Sequence, residues 1–224
     1  MKVALIIAAA GIGKRFSDNI KKQFYEIDNK PILYWTIKKL ISLYNFDEII
    51  IGVNNNDIEF INGILSDFNV EIKLVEGGDT RTKTVLNCVS CSCSDIVLIH
   101  DAVRPFISQN IVDNVIENAI KYDGAIPALK VRDTVKSVND NFIKNTIDRE
   151  LLYLAHTPQG FKRIEIKEAI EKSIKDNIEI TDEASAMEYC NKKVVVVNSN
   201  YDNIKITFSD DIEIVEILKN KYFK

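Results

Sequence analysis

Five charged side chains stand beside glycines or at the ends of apolar runs. They are Arg15 in "AAAGIGKRF", Lys22 shortly after it, Asp101 and Arg104 in "HDAVRP", and Lys205 in "DNIKIT". A further loop, "EGGDTRTKT", supplies Gly77, Gly78 and Asp79. Glycines let backbone N–H groups approach a phosphate closely, and cations offset its charge. A carboxylate among those cations is an odd choice for binding an anion alone. It makes sense if a divalent metal sits between Asp101 and the phosphates. That combination points to phosphoryl or nucleotidyl transfer rather than hydride transfer. The first loop fits neither familiar phosphate-binding pattern. G-x-G-x-x-G requires a small residue where Phe16 stands, and the P-loop requires Gly in place of Ala8 and a hydroxyl in place of Arg15.

Those loops must be held by a scaffold, and the chain alternates regularly. Strand-like runs occupy 3–9, 48–53, 70–75, 95–100 and 124–129, and helical periodicity lies between them. In 31–44, Leu33, Ile37, Leu40, Ile41 and Tyr44 share a face, and Pro31 suits a helix start. Ser108 suits the N-cap of a helix over 109–122, with Val112, Val115, Ile116, Ala119 and Ile120 on one stripe. Continuous Val/Ile runs separated by helices predict an α/β fold, a Rossmann-like and mostly parallel sheet with helices on both faces. In such a sheet ligands bind beyond the carboxyl ends of the strands, where all of these polar loops fall. After residue 130 the rhythm changes. Residues 132–147 read as a polar hairpin around an Asn/Asp turn, within a protruding arm at about 131–150. A helix from "TDEASAMEYC", strands over 193–199 and 203–208, and a helix from 209 complete one domain spanning 1–224.

Composition narrows the partners. With 46% hydrophobic and 28% charged residues among 224, the chain reads as an ordinary globular protein. A net charge of −4 lacks the basic surface expected of a nucleic-acid binder. No apolar run reaches the roughly 20 residues of a membrane span, so a cytoplasmic location without membrane association is expected. Of the four cysteines, Cys88 and Cys91 form a C-x-x-C late in a helical stretch. Without a second pair, Cys88, Cys91, Cys93 and Cys190 read as reduced thiols, which suit that compartment. His100 and His156 read as rim or core side chains.

Eight strings in register carry a resemblance. "LIIAAAGIGKR" with its K-Q pair, "GGDTRTKTV", "HDAVRPF", "VRDTVK", "TIDRELL", "HTPQGF", "ITDEASAMEY" and "DNIKIT" cover nearly the whole chain. The chain resembles the sugar-nucleotide type of nucleotidyltransferase and, within it, the 2-C-methyl-D-erythritol 4-phosphate cytidylyltransferase family of non-mevalonate isoprenoid synthesis. Cytidylyltransferases acting on ribitol 5-phosphate share several of the strings, so another polyol phosphate is the alternative substrate. The V-R-D-T-x-K and T-D-E-A-S strings favour the erythritol. Two residues depart from the family pattern: Lys21 replaces the proline usual before K-Q, and Thr84 stands where serine is common.

The resemblance implies roles residue by residue. Arg15, Lys22, Asp101 and Lys205 would carry the catalysis, with the cations on the triphosphate, Asp101 on Mg²⁺ or its water shell, and Lys205 bridging both substrates. Ala8, Ala9, Ala10, Gly11, Gly13, Gly78, Asp79, Thr84 and Ala102 would hold CTP. Arg104, Thr134, Arg149 and Thr181 would bind the sugar phosphate, although Thr181 could equally be the N-cap of the helix that follows it. Thr134 and Arg149 lie on the arm, which in this family reaches into the partner's site within a homodimer.

Overall fold

The computed structural model describes residues 1–11 and 20–223. The first strand, β1 (Val3–Ala8), leads past the small strands β2 (Glu26–Ile27) and β3 (Lys30–Pro31) into α1 (Ile32–Leu43). Next come β4 (Glu48–Val53), α2 (Ile58–Leu65), β5 (Lys73–Glu76), α3 (Arg81–Cys91), β6 (Ile96–Asp101), α4 (Gln109–Lys121) and β7 (Gly124–Lys130). The second part holds β8 (Val135–Asn139), β9 (Phe142–Ile147), β10 (Tyr153–Ala155), β11 (Gln159–Lys162) and α5 (Arg163–Lys175). It ends with α6 (Glu183–Tyr189), β12 (Val194–Asn198) and α7 (Asp211–Tyr222).

Eight strands form the main sheet in the order β10-β7-β11-β6-β1-β4-β5, with β12 off this path and paired with β7. Pairings β6/β1, β1/β4, β4/β5 and β7/β12 are parallel, whereas β10 and β11 run antiparallel to their neighbours. The period of two along β1 shows why its sequence is a continuous apolar run. Val3, Leu5 and Ile7 enter one core with α1, α2 and α4, while Ala4 and Ile6 enter another with α3, α5 and α6. A strand buried on both faces has no polar side to show.

Several expectations are corrected in detail. The strand expected over 70–75 begins at Lys73. Residues 203–208 form no strand. Their donors are taken locally, Asn203 N–H by the Asn200 side chain and Thr207 N–H by Asp211, which leaves Ile206 N–H to reach Val103 O at 3.0 Å. Short polar side chains have out-competed a ladder. Ser108 occupies the N-cap of α4 without a capping bond, and its hydroxyl accepts instead from Asn200. Ile120 falls at the solvent end of that helix and is exposed. The hairpin is as expected in its turn, where Asp140 and Asn141 take φ of 48° and 67°, the pair of positive values a tight two-residue turn demands. It pairs with nothing in the main sheet, and every residue of β9 is exposed. No helix among the described residues is long and apolar enough to cross a membrane.

A third cluster gathers Ile27, Ile32, Trp35, Val103, Phe106, Ile206 and Val215, with Phe223 stacked on Trp35 at 4.1 Å. It fixes the 203–207 segment against the loop after β6. On the opposite side, close approach of α3 to the sheet depends on Gly52. A Cβ there would stand 2.5 Å from Thr84 Cγ2 and 2.9 Å from Cys88 Sγ. Gly52→Ala is therefore expected to destabilise the protein by about 1–3 kcal/mol, since overpacking must push α3 outward. Urea unfolding monitored by circular dichroism checks this, and an unchanged midpoint would count against so tight a contact.

Candidate active site

The carboxyl ends of β1, β4 and β6 open onto a cavity of about 440 Å³. Ala8, Ala9, Ala10 and Gly11 line one wall and Gly78, Asp79 and Thr84 another, with Asp101, Ala102, Lys22 and Lys205 completing it. Eleven of the residues singled out from sequence thus share one space. Gly13 and Arg15 lie outside the described residues.

Each wall has a local cause. Gln23, 2% exposed, donates to the carbonyls of Ala9 and Gly11 at 3.0 and 2.8 Å, so the K-Q pair closes the first loop with one residue and presents a cation with the other. Lys21, in the place of the usual proline, has φ of −63°, a value that proline would adopt. Its ammonium donates to both oxygens of Asp57 at 2.6 Å, anchoring the turn that carries Lys22. In the second loop Gly77 N–H donates to Val53 O and Gly78 N–H to the Thr84 hydroxyl. Gly77 admits no side chain, because a Cβ would fall 2.4 Å from that of Ala10. The two walls touch there. Thr80 caps α3 by accepting from Lys83 N–H.

At the centre lies Asp101, whose carboxylate receives three cations. Arg81 Nε stands 3.3 Å from Oδ1, while Arg104 Nε and Lys205 Nζ stand 3.2 and 2.9 Å from Oδ2. Burial alone would push this carboxyl up, but the charges of Arg81, Lys205 and Arg104 outweigh it and hold it far below the usual carboxylate range. Arg81 also grips Glu183, a 2% exposed carboxylate, through both terminal nitrogens at 2.6 and 3.2 Å. Burial opposes the charge on Arg81, and Glu183 and Asp101 together raise its pKa. Arg104, only 6% exposed, is lowered by burial despite Asp101, and its Nη1 donates to Asn203 O at 2.7 Å.

The remaining sequence-derived residues sit elsewhere. Thr134 and Arg149 are exposed and do not line this cavity; Arg149 reaches instead to the Arg132 carbonyl. Thr181 is exposed too, and the helix after it is capped by Asp182, in a reciprocal pair with Ser185. Asp182 in turn accepts from Gln159 of the "TPQ" string at 2.8 Å. Sequence reasoning passed over Arg81, Gln23 and Asn54, which also line the cavity. Arg81 was visible as the one arginine in "GGDTRTKT", but its partner Glu183 lies a hundred residues on. Cys88 is buried against the sheet with its thiol pushed up to about 12 by burial, whereas Cys91 and Cys93 are exposed. Among the described residues no three His, Cys, Asp or Glu side chains gather as a metal cluster.

Residues 3–220 match the profile of the IspD family, described as 2-C-methyl-D-erythritol 4-phosphate cytidylyltransferase. The chain belongs to this family. A relative with that name from Carboxydothermus hydrogenoformans is 34% identical, over 99% of this chain and 97% of its own. Another from Acinetobacter baylyi is 40% identical, over 97% and 93%. The crystal structure of 4-diphosphocytidyl-2C-methyl-D-erythritol synthase from Anaerococcus prevotii superposes with a TM-score of 0.86 at 30% identity, covering 98% of both chains. As a member, this chain is a nucleotidyltransferase with an α/β fold.

The histidines give the site's surroundings a pH signature. Burial lowers His100 to about 4, although its bond to the Arg104 carbonyl opposes this; burial and the Arg104 charge lower His156 to about 4 as well. Both values lie below the roughly 6.5 of an unfolded histidine, so the unfolded chain binds more protons in between. Their contribution to stability is complete above pH 6.5 and is lost as pH falls towards 4. For the fully buried His100 the loss at pH 5 is about 2 kcal/mol, equivalent to a melting point roughly 5 °C lower. Calorimetry between pH 7 and 5 should record that drop, with a shallower slope in His156→Gln; a flat profile would contradict it.

Proposed function

We propose that the cavity takes CTP and that the enzyme transfers CMP from it to 2-C-methyl-D-erythritol 4-phosphate, giving 4-diphosphocytidyl-2-C-methyl-D-erythritol and pyrophosphate. The observation that carries this reading is the ion cluster at the carboxyl end of β6, where Asp101 gathers Arg81, Arg104 and Lys205 beside a cavity walled by alanines and glycines. A sugar-phosphate oxygen attacks the α-phosphorus of CTP as the bond to the bridging oxygen breaks and pyrophosphate departs. Two anions must be brought together, so alignment and charge neutralisation are the work required, and no covalent enzyme intermediate is needed. Lys22 and Arg15 carry the triphosphate, and Lys205 lies between the substrates. Arg104 takes the acceptor phosphate, with Thr181 supplying a hydroxyl. Small side chains at Ala8, Ala9, Ala10, Gly78 and Ala102 leave room for a pyrimidine and ribose, with Gly11, Gly13, Asp79 and Thr84 contributing polar contacts.

The residues present fit a divalent metal in one respect. Asp101 has about four acceptor positions, of which Arg81, Arg104 and Lys205 use three, leaving one on Oδ1. That single oxygen suits Mg²⁺, which keeps most of its waters and takes its other ligands from substrate phosphates. Bound there, the ion would neutralise the triphosphate charge.

Pyrophosphate release should therefore require CTP, methylerythritol phosphate and Mg²⁺ together, and EDTA should abolish it. Arg104→Ala is expected to raise the KM for the sugar phosphate by roughly tenfold or more, with that for CTP little changed. Weaker CTP binding with the sugar phosphate spared would reverse the partition of the site, and faster turnover of ribitol 5-phosphate would move the substrate to the alternative polyol.

The arm completes this reading as a homodimer device. Phe142, Ile143 and Val138 are 78%, 66% and 57% exposed on the hairpin, and Leu151 at its base is 84% exposed. An isolated two-stranded hairpin is marginal in water, and so many exposed apolar side chains on one arm suit a protein interface. Exchange of arms about a two-fold axis would cover it and carry Thr134 and Arg149 to the neighbour's acceptor site. Lys22→Ala and Arg149→Ala, each nearly inactive alone, then complement when subunits are exchanged at equal ratio. Half the dimers are mixed and each holds one intact site, so roughly a quarter of wild-type activity returns. Complete exchange without recovery would refute a shared site.

A further inference from the structure

His100 is fully buried immediately before Asp101, yet the chemistry above gives it nothing to do. Its two ring nitrogens have unlike partners. Nε2 lies 3.0 Å from the carbonyl oxygen of Arg104, and Nδ1 lies 3.1 Å from the hydroxyl of Thr157. A carbonyl only accepts, so Nε2 must carry the hydrogen. The Thr157 oxygen already accepts from Asp101 N–H at 3.1 Å, and its own hydrogen is free to point at Nδ1. Every donor then has an acceptor with the imidazole neutral, and the polarity of the whole chain of bonds is determined.

The bonds also close into a ring. His100 donates to the Arg104 carbonyl, and Thr157 donates to His100. Asn203 Nδ2 donates to the Thr157 carbonyl at 2.9 Å, and the Asn203 carbonyl accepts from Arg104 Nη1 at 2.7 Å. The circuit begins and ends on Arg104. It grips that residue by backbone and guanidinium at once, and grips Asp101 by its N–H. Between these two residues the chain makes a tight turn, Arg104 N–H donating to Asp101 O at 3.3 Å. His100, Thr157 and Asn203 are 0%, 5% and 0% exposed, so no water competes for the circuit from the surface.

We propose that His100 is a positioning residue for the transfer: as a neutral imidazole protonated on Nε2, it holds the Asp101–Arg104 turn so that Arg104 meets the acceptor phosphate. This rests on the assignment of Arg104 to that phosphate made above. It predicts that loosening the ring harms acceptor binding and spares CTP, whose cation Lys22 belongs to another segment.

Two measurements test it on the full-length enzyme. The wild-type chain has only two histidines, so ¹⁵N-imidazole NMR with His156→Gln for assignment reads the tautomer directly. The expected spectrum has a pyridine-like Nδ1 and a pyrrole-like Nε2 at His100; the reverse tautomer or a charged ring at neutral pH overturns the ring. In steady-state assays Thr157→Val, which keeps the shape and removes the hydroxyl, should raise the KM for methylerythritol phosphate about tenfold, because small misplacements of a binding group are costly. The KM for CTP should stay within about twofold, and Thr157→Ser should restore the acceptor KM. Equal effects on both substrates, or a uniform loss of kcat, would reduce His100 to a structural role. Should Thr157→Val not fold, the same split is read on His100→Gln, which keeps the donor to Arg104 but not the acceptor for Thr157. If the tautomer is as expected while Arg104→Ala leaves the acceptor KM unchanged, the substrate assignment fails and takes the positioning role with it, leaving only the hydrogen-bond ring.

Discussion

Everything at this site depends on keeping one nearly buried carboxylate ionised. Asp101 is buried, and a lone buried charge costs far more than folding can supply. Three cations make it tolerable, and each is thereby immobilised as well. The dependence is mutual. Arg81, Arg104 and Lys205 come from three separate segments and would repel one another without the anion between them. Arg81 is held from its far side by Glu183, so the balance extends to α6. The cluster of two carboxylates and three cations keeps a surplus of positive charge, which suits a surface that must receive phosphate.

The fold follows from giving these segments a common rim. A sheet with helices on both faces places the loops after β1, β4 and β6 side by side, whatever lies between them in sequence. The two antiparallel strands β10 and β11 interrupt the parallel order and return the chain to the "TPQ" turn next to β6. From there Gln159 reaches the start of α6 and Thr157 reaches Asp101 N–H. The departure from a uniform parallel sheet is what lets the late part of the chain touch the early part.

How much of this was legible depended on whether a signal was local. The runs at β1, β4, β6 and β7 were visible because a doubly buried strand must be apolar throughout, and Leu33, Ile37 and Leu40 because a helix face repeats. β11 was invisible: "QGFK" holds a Gln, a Gly and a Lys, and is buried through partners no local pattern announces. The 203–208 stretch misled for the opposite reason, since its alternation is real but Asn200 and Asp211 divert the donors that a strand would need. Among site residues, glycine-rich loops and cations beside them were readable as chemistry. Arg81 with Glu183, and Gln23 with the carbonyls of Ala9 and Gly11, become meaningful only when distant segments meet. The placement of Thr134, Arg149 and Thr181 away from the cavity was equally beyond any one-dimensional pattern.

The separation along the chain between Asp101 and its partners bears on how the protein is made. A ribosome delivers β6 before α6 and well before Lys205, and domains gain structure from the N-terminal side as synthesis proceeds. Through that interval Asp101 has no Glu183-anchored Arg81 and no Lys205 beside it. The carboxyl edge of the early half of the sheet lacks these partners until the final segment arrives. The last segment to be made is thus the one that completes the charge balance at the rim formed by the first loops.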